Sequence, residues 1–216
     1  MRGPLILSLK VALLGTLIVF FLGLFAARQV QKMKRGRGIA DGLLTLPLVL
    51  PPTVLGFGLL VLFGRRGSLG TLLGSLGLEV IFTPAAAVIA GVVVAFPLMY
   101  RTTLGAFDLV DEDLLHAART LGFSEAKVFW RVLLPTAKRG VISGVILSFA
   151  RILGEFGATM MIAGNIPGRT QTLSTAIYTA VQAGHRSEAG HMALLVAAMS
   201  FSGMMLLYLF GERRSL

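Results

Sequence analysis

Long apolar stretches constrain this chain more than any other feature. From about Leu5 to Ala27 only Ser8, Lys10 and Thr16 interrupt a hydrocarbon-like run. About 20 such residues in a helix match the core of a bilayer. Four more stretches follow, at about 43–63, 84–100, 141–163 and 192–210. The expectation is an all-α integral membrane protein of five transmembrane helices, with residues 1–216 forming a single transmembrane domain. Lys10 lies near the outer end of the first stretch, where its stem can snorkel to the interface. Only Arg2 precedes that stretch and no small-residue cleavage site follows it, so it reads as a retained span rather than a signal peptide.

The net charge of +10 invites a nucleic-acid reading, which fails on distribution. The cations collect at the ends of apolar stretches, and aromatic residues suited to base stacking are few. A membrane protein with cytoplasmic Lys and Arg explains the same excess. The segments at 28–37 and 101–139, with the tail at Arg213 and Arg214, hold thirteen cations; the alternate segments hold six. This puts the N-terminus outside and the C-terminus in the cytoplasm. An odd number of spans requires the same opposition. With no cysteine in the chain, disulfides, thiolate metal sites and cysteine nucleophiles are excluded.

The longest polar island, Asp111 to Pro135, reads as two short helices. Asp111 can cap the first, with Glu112 and Asp113 at its positive end. Leu114, Leu115, Ala118 and Leu121 recur at helical spacing, and Gly122 supplies the left-handed exit. Ser124 can cap a second helix, Glu125 to Leu133, closed by Pro135. Ala117 and Ala118 leave the first helix nearly bare, so another protein's surface can approach its backbone. A solvated loop helix is the plain alternative.

Two apolar stretches carry irregularities. Leu46-Pro47-Leu48-Val49-Leu50-Pro51-Pro52 removes backbone donors within the second. Such backbone is tolerated where it is buried in protein or lines a wet cavity. A packing kink and a broken helix beside a translocation pathway both fit. The fourth stretch contains Arg151, Gly154, Glu155, Phe156, Gly157 and Thr159. An arginine at the centre of a membrane helix costs roughly 2.5–3.5 kcal/mol on insertion scales. Glu155, four residues on, lies on the same helix face and can pair with it. The pair serves equally as a structural bridge or a substrate contact. The glycines admit a close neighbouring helix. Beyond lies a polar external stretch, Asn165 to Gly184, in which Thr172 to Gln182 can form a short helix; contact with an external protein and a plain connecting loop both remain open. A Gly-rich turn, Gly64 to Gly77, follows the second stretch.

The polar island resembles the EAA loop of ABC importer permeases: Glu-Ala-Ala, three residues, Gly, nine residues, Ile, one residue, Leu-Pro. Here His116-Ala117-Ala118, Gly122, Val132 and Leu134-Pro135 keep that spacing, with His116 in place of Glu and Val132 in place of Ile. The segments from Arg151 to Thr159, Ile162 to Gly168, Thr170 to Thr172, Leu46 to Pro52 and Gly64 to Gly67 resemble molybdate-type permeases. Phe156 and Ala158 replace the Tyr and Ser usual in the sulfate branch.

The resemblance implies an ABC type I importer permease that moves molybdate or tungstate inward across the cytoplasmic membrane by alternating access. It implies a homodimer of this chain, two cytoplasmic ABC ATPases and an extracytoplasmic oxyanion-binding protein. ATP and magnesium would sit on the ATPase, with no cofactor on this chain. The ATPase-docking loop would comprise Leu115, His116, Ala117, Ala118, Arg119, Gly122 and Pro135. Pathway or intramembrane polar candidates are Pro51, Pro52, Arg151, Gly154, Glu155, Thr159 and Asn165. The oxyanion would meet weak, dispersed donors rather than a tight cage, since it must also leave.

No G-x-x-x-x-G-K-[ST] is present, so ATP is not held here by a P-loop. His116, His185 and His191 lack metal-ligand spacing, and no Ser-His-Asp elbow occurs. The expectation is a non-catalytic subunit. Rival readings are a sulfate permease of the same group, an ATP-independent secondary transporter or channel, and a membrane scaffold.

Overall fold

Helix α1 (Arg2–Gln31) has 30 residues, about 45 Å at 1.5 Å per residue, and carries the whole first apolar stretch. It belongs to a computed structural model that describes residues 2–212. Arg213 and Arg214, counted above toward orientation, lie outside the described residues. After α1 come α2 (Arg37–Val49), α3 (Pro52–Phe63), α4 (Ser68–Ser75) and α5 (Pro84–Asp108). The polar island forms α6 (Glu112–Thr120), α7 (Glu125–Val128), a π-helical turn (Phe129–Leu133) and α8 (Leu134–Thr136). Then follow α9 (Lys138–Leu153), α10 (Gly157–Ile162), α11 (Leu173–Gln182) and α12 (Arg186–Glu212). No strand occurs among the described residues.

Of the five expected stretches, two form single long helices and two are divided. Among the described residues α1 and α5 qualify alone as bilayer-crossing helices. The second stretch is divided: α2 and α3 meet at 105°. Leu50 and Pro51 are extended, and Pro52 opens α3, where its missing N–H costs nothing. The fourth is divided at 154–156, between α9 and α10. The fifth lies within the 27-residue α12. The Gly-rich segment after α3 is not merely a turn, since it contains α4, and Arg65 and Glu79 pair across its flanks at 3.0 Å.

Helices α1, α5 and α9 make the packed centre, and small residues set their separation. Ala12, Ala27, Ala86, Ala87, Ala90 and Ala95 have no exposed surface. Ile152 of α9 enters the space left by Gly15 and Gly91; a Cβ on those glycines would lie 2.9 and 2.7 Å from its side chain. Large apolar groups point outward instead, among them Leu13, Leu14, Leu17, Phe21 and Phe25 of α1. A small-residue interior with a leucine and phenylalanine exterior suits lipid, where apolar faces need no burial against protein.

The two ends of the bundle are distinct. At one, Gln31 donates to the Phe107 carbonyl at 2.9 Å, bringing the last turns of α1 and α5 together beside the island. At the other, the Ser8 hydroxyl accepts from the Leu173 N–H at 2.7 Å, tying α11 to the start of α1. Thr172 and Thr175 form a reciprocal cap at the start of α11. The start of α12 packs there too, through Ala189 and Met192.

Candidate functional site

Two neighbourhoods draw the predicted residues together: the hairpin of α6 to α8 and the pair of broken helices. In the hairpin, Asp111 accepts from the Asp113 N–H at 2.9 Å and starts α6. Leu121 closes it, and Gly122 stands at φ +80°. Gly122 N–H donates to the Arg119 carbonyl and Phe123 N–H to that of Ala118, the paired bonds of a Schellman motif. Ser124 caps α7 through the Lys127 N–H at 3.4 Å.

Three expectations for the loop change. Ala118 is only 6% exposed and Leu115 5%; both face the chain's own core rather than a partner. The amphipathic helix spends that face on its own tertiary packing. His116, Ala117 and Gly122 remain exposed, and Arg119 is half-buried. The outward apolar stripe is Leu114, Ala117 and Leu121, at intervals of three and four residues, a face that the local pattern does not separate from the buried Leu115 and Ala118. Pro135 does not close the second helix; the chain continues helically to Thr136 and turns at Ala137, by 75° into α9. A proline ring clashes with the carbonyl four residues back. The turn before it is widened to π spacing, with Leu134 N–H donating to the Phe129 carbonyl, and this accommodates the ring.

Glu125 organises the hairpin, a role the sequence did not reveal because its partners lie 6 to 97 residues away. Its Oε1 accepts from Arg119 Nε at 2.6 Å, and its Oε2 lies 3.1 Å from Arg28 Nη2 and 3.6 Å from Lys32 Nζ. One carboxylate thus joins α1, α6 and α7. The hydrogen bond from Arg119 is the main cause holding its pKa below the ordinary carboxylate value, with the positive fields of Arg119, Lys32 and Arg28 adding to it. Nearby, Arg37 pairs with Asp108 and Arg101 with Asp41, fastening α2 to α5. Helix α2 has no buried residue, so these pairs are prominent among its attachments.

The second neighbourhood forms where the two divided stretches pack on each other. A Cβ on Gly56 of α3 would lie 2.8 Å from the Ala158 Cα and 2.7 Å from Met161 Cβ of α10. One on Gly157 would lie 3.0 Å from Pro52 Cβ. Gly154, expected among the close-packing glycines, is instead exposed, with no neighbouring helix against it.

Arg151 and Glu155 do pair, Nη1 to Oε2 at 2.8 Å, but not along one helix. α9 ends at Leu153, and Glu155 lies in the break. Its side chain is 2% exposed, and its Oε1 accepts from the Ala158 N–H at 2.7 Å. The carboxylate therefore bridges the last turn of α9 and the first amide groups of α10, replacing backbone bonds lost at the break.

Other predicted residues distribute around this junction. Pro51 and Pro52 are exposed on one flank. Thr159 is buried. Asn165 follows α10 and donates to Thr179 of α11 at 2.5 Å, while its Oδ1 is buried without a protein partner. The end of α10 is held by the Phe82 N–H, which donates to the Ile162 carbonyl at 3.0 Å. No cluster of metal-ligating side chains occurs among the described residues.

This all-helical arrangement, with a polar hairpin at one end and two interlocked broken helices, recurs in solved ABC transporter structures. A chain of a bacterial ABC transporter involved in the import of the acidic polysaccharide alginate superposes with a TM-score of 0.77, at 14% identity, covering 100% of this chain and 80% of that one. The MetNI methionine transporter, in an inward-facing conformation, gives 0.73 at 17% identity, covering 96% and 94%. Residues 19–214 match the family described as binding-protein-dependent transport system inner membrane component. The chain belongs to that family of multi-pass membrane transport permeases.

Among curated relatives, the molybdenum transport system permease protein ModB of Escherichia coli is 41% identical over 204 residues, covering 93% of this chain and 89% of its own. The ModB proteins of Haemophilus influenzae and Azotobacter vinelandii are 39% and 37% identical, covering 93% and 96% of this chain and 89% and 92% of theirs.

Proposed function

We propose that this chain is the permease subunit of an ATP-driven importer that carries molybdate, or the nearly isosteric tungstate, into the cytoplasm. The observation that carries the substrate class is similarity along nearly the whole chain to permeases named for molybdenum transport. Two copies enclose the pathway, each contributing one pair of broken helices. The hairpin end of the bundle faces the cytoplasm with the C-terminus, and the N-terminus lies outside. This orientation rests on the concentration of Lys and Arg at that end.

Each hairpin docks on one of two ABC ATPase subunits through His116, Ala117, Gly122 and the Leu114/Leu121 stripe. An external oxyanion-binding protein delivers substrate to the opposite end. ATP and magnesium belong to the ATPase. Its closure moves the docked hairpins and turns the two permease copies, so the pathway opens outward; hydrolysis returns it inward. Any ligand that drives such a change must bind the two states unequally. The ATP-bound ATPase dimer fulfils that condition, acting through the Glu125-centred junction on α1 and, through α8 and Ala137, on α9.

The anion path follows the junction of α3 and α10. Glu155 is committed to Arg151 and to the start of α10, so its charge is neutralised there and does not repel an oxyanion. The backbone around the breaks supplies weak donors, joined by Thr159, buried in this conformation, as the two copies turn and open the path. Asn165 contributes less, since its amide donor already serves Thr179.

The test is reconstitution of the permease in vesicles with its ATPase and binding protein. Uptake and ATP hydrolysis are measured with molybdate, tungstate and sulfate. ATP-dependent accumulation of molybdate and tungstate, with sulfate at background, is expected. Sulfate uptake at equal rate overturns the substrate assignment, and uptake by the permease alone along an ion gradient overturns the importer class. Single cysteines introduced into this cysteine-free chain report orientation by labelling from either side.

A further inference from the structure

We propose that the groove between the last turns of α1 and the π-helical turn of the hairpin binds an anionic phospholipid of the cytoplasmic leaflet. The groove holds about 340 Å³ and is lined in part by Phe21, Phe25, Arg28, Lys32, Glu125 and Trp130. The orientation proposed above decides only the leaflet; the class of ligand follows from the side chains.

Leu14, Ile18, Phe21 and Phe25 recur every three or four residues along α1, and all are exposed. This is a continuous lipid-facing stripe on a helix long enough to span. The same spacing continues into Arg28 and Lys32, so the stripe turns from apolar to cationic within one helical turn. Trp130, 58% exposed, stands across the groove. Its aromatic ring with a polar N–H suits the level of the lipid headgroups.

Charge selects the headgroup. Arg28, Lys32 and Arg119 share the single carboxylate of Glu125, leaving an excess of two positive charges around the groove. The Arg28 guanidinium is oriented in advance: it donates to Gln31 at 2.8 Å and to Glu125, and lies 5.9 Å from the centre of the Phe129 ring. Lys32 is half-exposed and only 3.6 Å from Glu125, a loose pairing that a phosphodiester can share. Acyl chains then lie along Phe21 and Phe25, with the phosphate at Lys32 and Arg28. The Leu114/Leu121 stripe of α6 is a separate surface, and none of its residues lines the groove.

Trp130 is the chain's single tryptophan, so its fluorescence reports this groove alone. The full chain is reconstituted in phosphatidylcholine vesicles containing increasing fractions of brominated phosphatidylglycerol or, separately, brominated phosphatidylcholine. Quenching by the anionic lipid is expected to half-saturate at a mole fraction about fivefold lower, the factor that roughly one Lys or Arg supplies at such a surface. Lys32→Gln, at an exposed position, lowers that preference at least twofold. Glu125→Gln raises it, because the competing carboxylate is neutralised; a purely structural role predicts no gain.

Equal quenching by the two lipids in the wild-type chain overturns the proposal, as does a preference unmoved by both substitutions. Native mass spectrometry of the complex assembled with its ATPase supplies the remaining arm. Retained phosphatidylglycerol supports the lipid site. Its loss on ATPase binding identifies the groove as a protein contact and also overturns the proposal.

Discussion

In the hairpin, apolar packing by Leu115 and Ala118 is joined by polar contacts that water can reach. Glu125 and Lys32 are each about half exposed, and the Ser124 and Asp111 caps lie at the surface. At the broken helices the same task falls to groups that water barely reaches. The Glu155 carboxylate is sealed between Arg151 and the Ala158 amide, and Gly56 sits against backbone. Exposed ion pairs are weak because water replaces either partner at little cost. A buried carboxylate or a filled glycine notch has no such substitute. The proposed mechanism uses that contrast: a partner repositions the hairpin, while the junction of α3 and α10 keeps its shape as the bundle turns.

That contrast orders the expected responses of the molecule. Glu155→Ala uncaps α10 and strands the Arg151 guanidinium, with an expected loss of about 3 kcal/mol, the low end for broken buried pairs since the Arg151 side chain is 31% exposed. A large fall in melting temperature in detergent, together with loss of uptake, checks it. Gly56→Leu forces α3 away from Ala158 and is expected to cost about 1–3 kcal/mol by overpacking, with uptake abolished. Retention of wild-type stability and transport in that variant would break the comparison.

Gly122→Asp places a side chain at φ +80°, where the strain is about 1 kcal/mol and no neighbour is struck. Membrane insertion and melting temperature are expected to change little while transport is lost, because a charged side chain is added to the exposed docking surface. Wild-type uptake in this variant would remove the docking role. Thr159→Val tests the path more finely: a several-fold fall in molybdate uptake is expected at unchanged stability, and unchanged uptake removes Thr159 from the path.

The smallest effect is the pH response of the hairpin. Glu125 has its pKa depressed in the folded chain, chiefly by the hydrogen bond from Arg119. Its stabilisation is therefore complete above the ordinary glutamate value and is lost as pH falls through the depressed one. Amide exchange in α6 and α7 should accelerate relative to α10 across that acidic window, and Glu125→Gln should abolish the difference. Equal acceleration in both regions would show that they melt together.

Much of this was legible in local sequence. Apolar runs marked the membrane segments because bilayer thickness imposes a length that composition alone meets. The hairpin was readable from Asp111, Gly122 and Ser124 because caps and left-handed exits act over three or four residues. The three prolines signalled a broken second stretch for an equally local reason, loss of donors and a ring clash. The Arg151–Glu155 spacing predicted a pair, although the helix assumed to carry it ends at Leu153. Pro135 does not end its helix, since a π-helical turn before it absorbs what an α-helix cannot.

Tertiary structure alone decided which side chains on these elements face one another. Ala118 turns inward and Leu114 with Leu121 outward because α6 lies on this particular bundle, and an isolated amphipathic pattern does not say which weakly apolar edge is covered. Glu125 gains its role from Arg28 and Lys32, nearly a hundred residues earlier, a relation with no local signature. The same holds for Gly56 against Ala158 and for Pro52 against Gly157: the first break is visible in the sequence through its prolines, and the second, at 154–156, is not. That the two breaks interlock depends on contacts between segments a hundred residues apart, and those are set only when the helices pack.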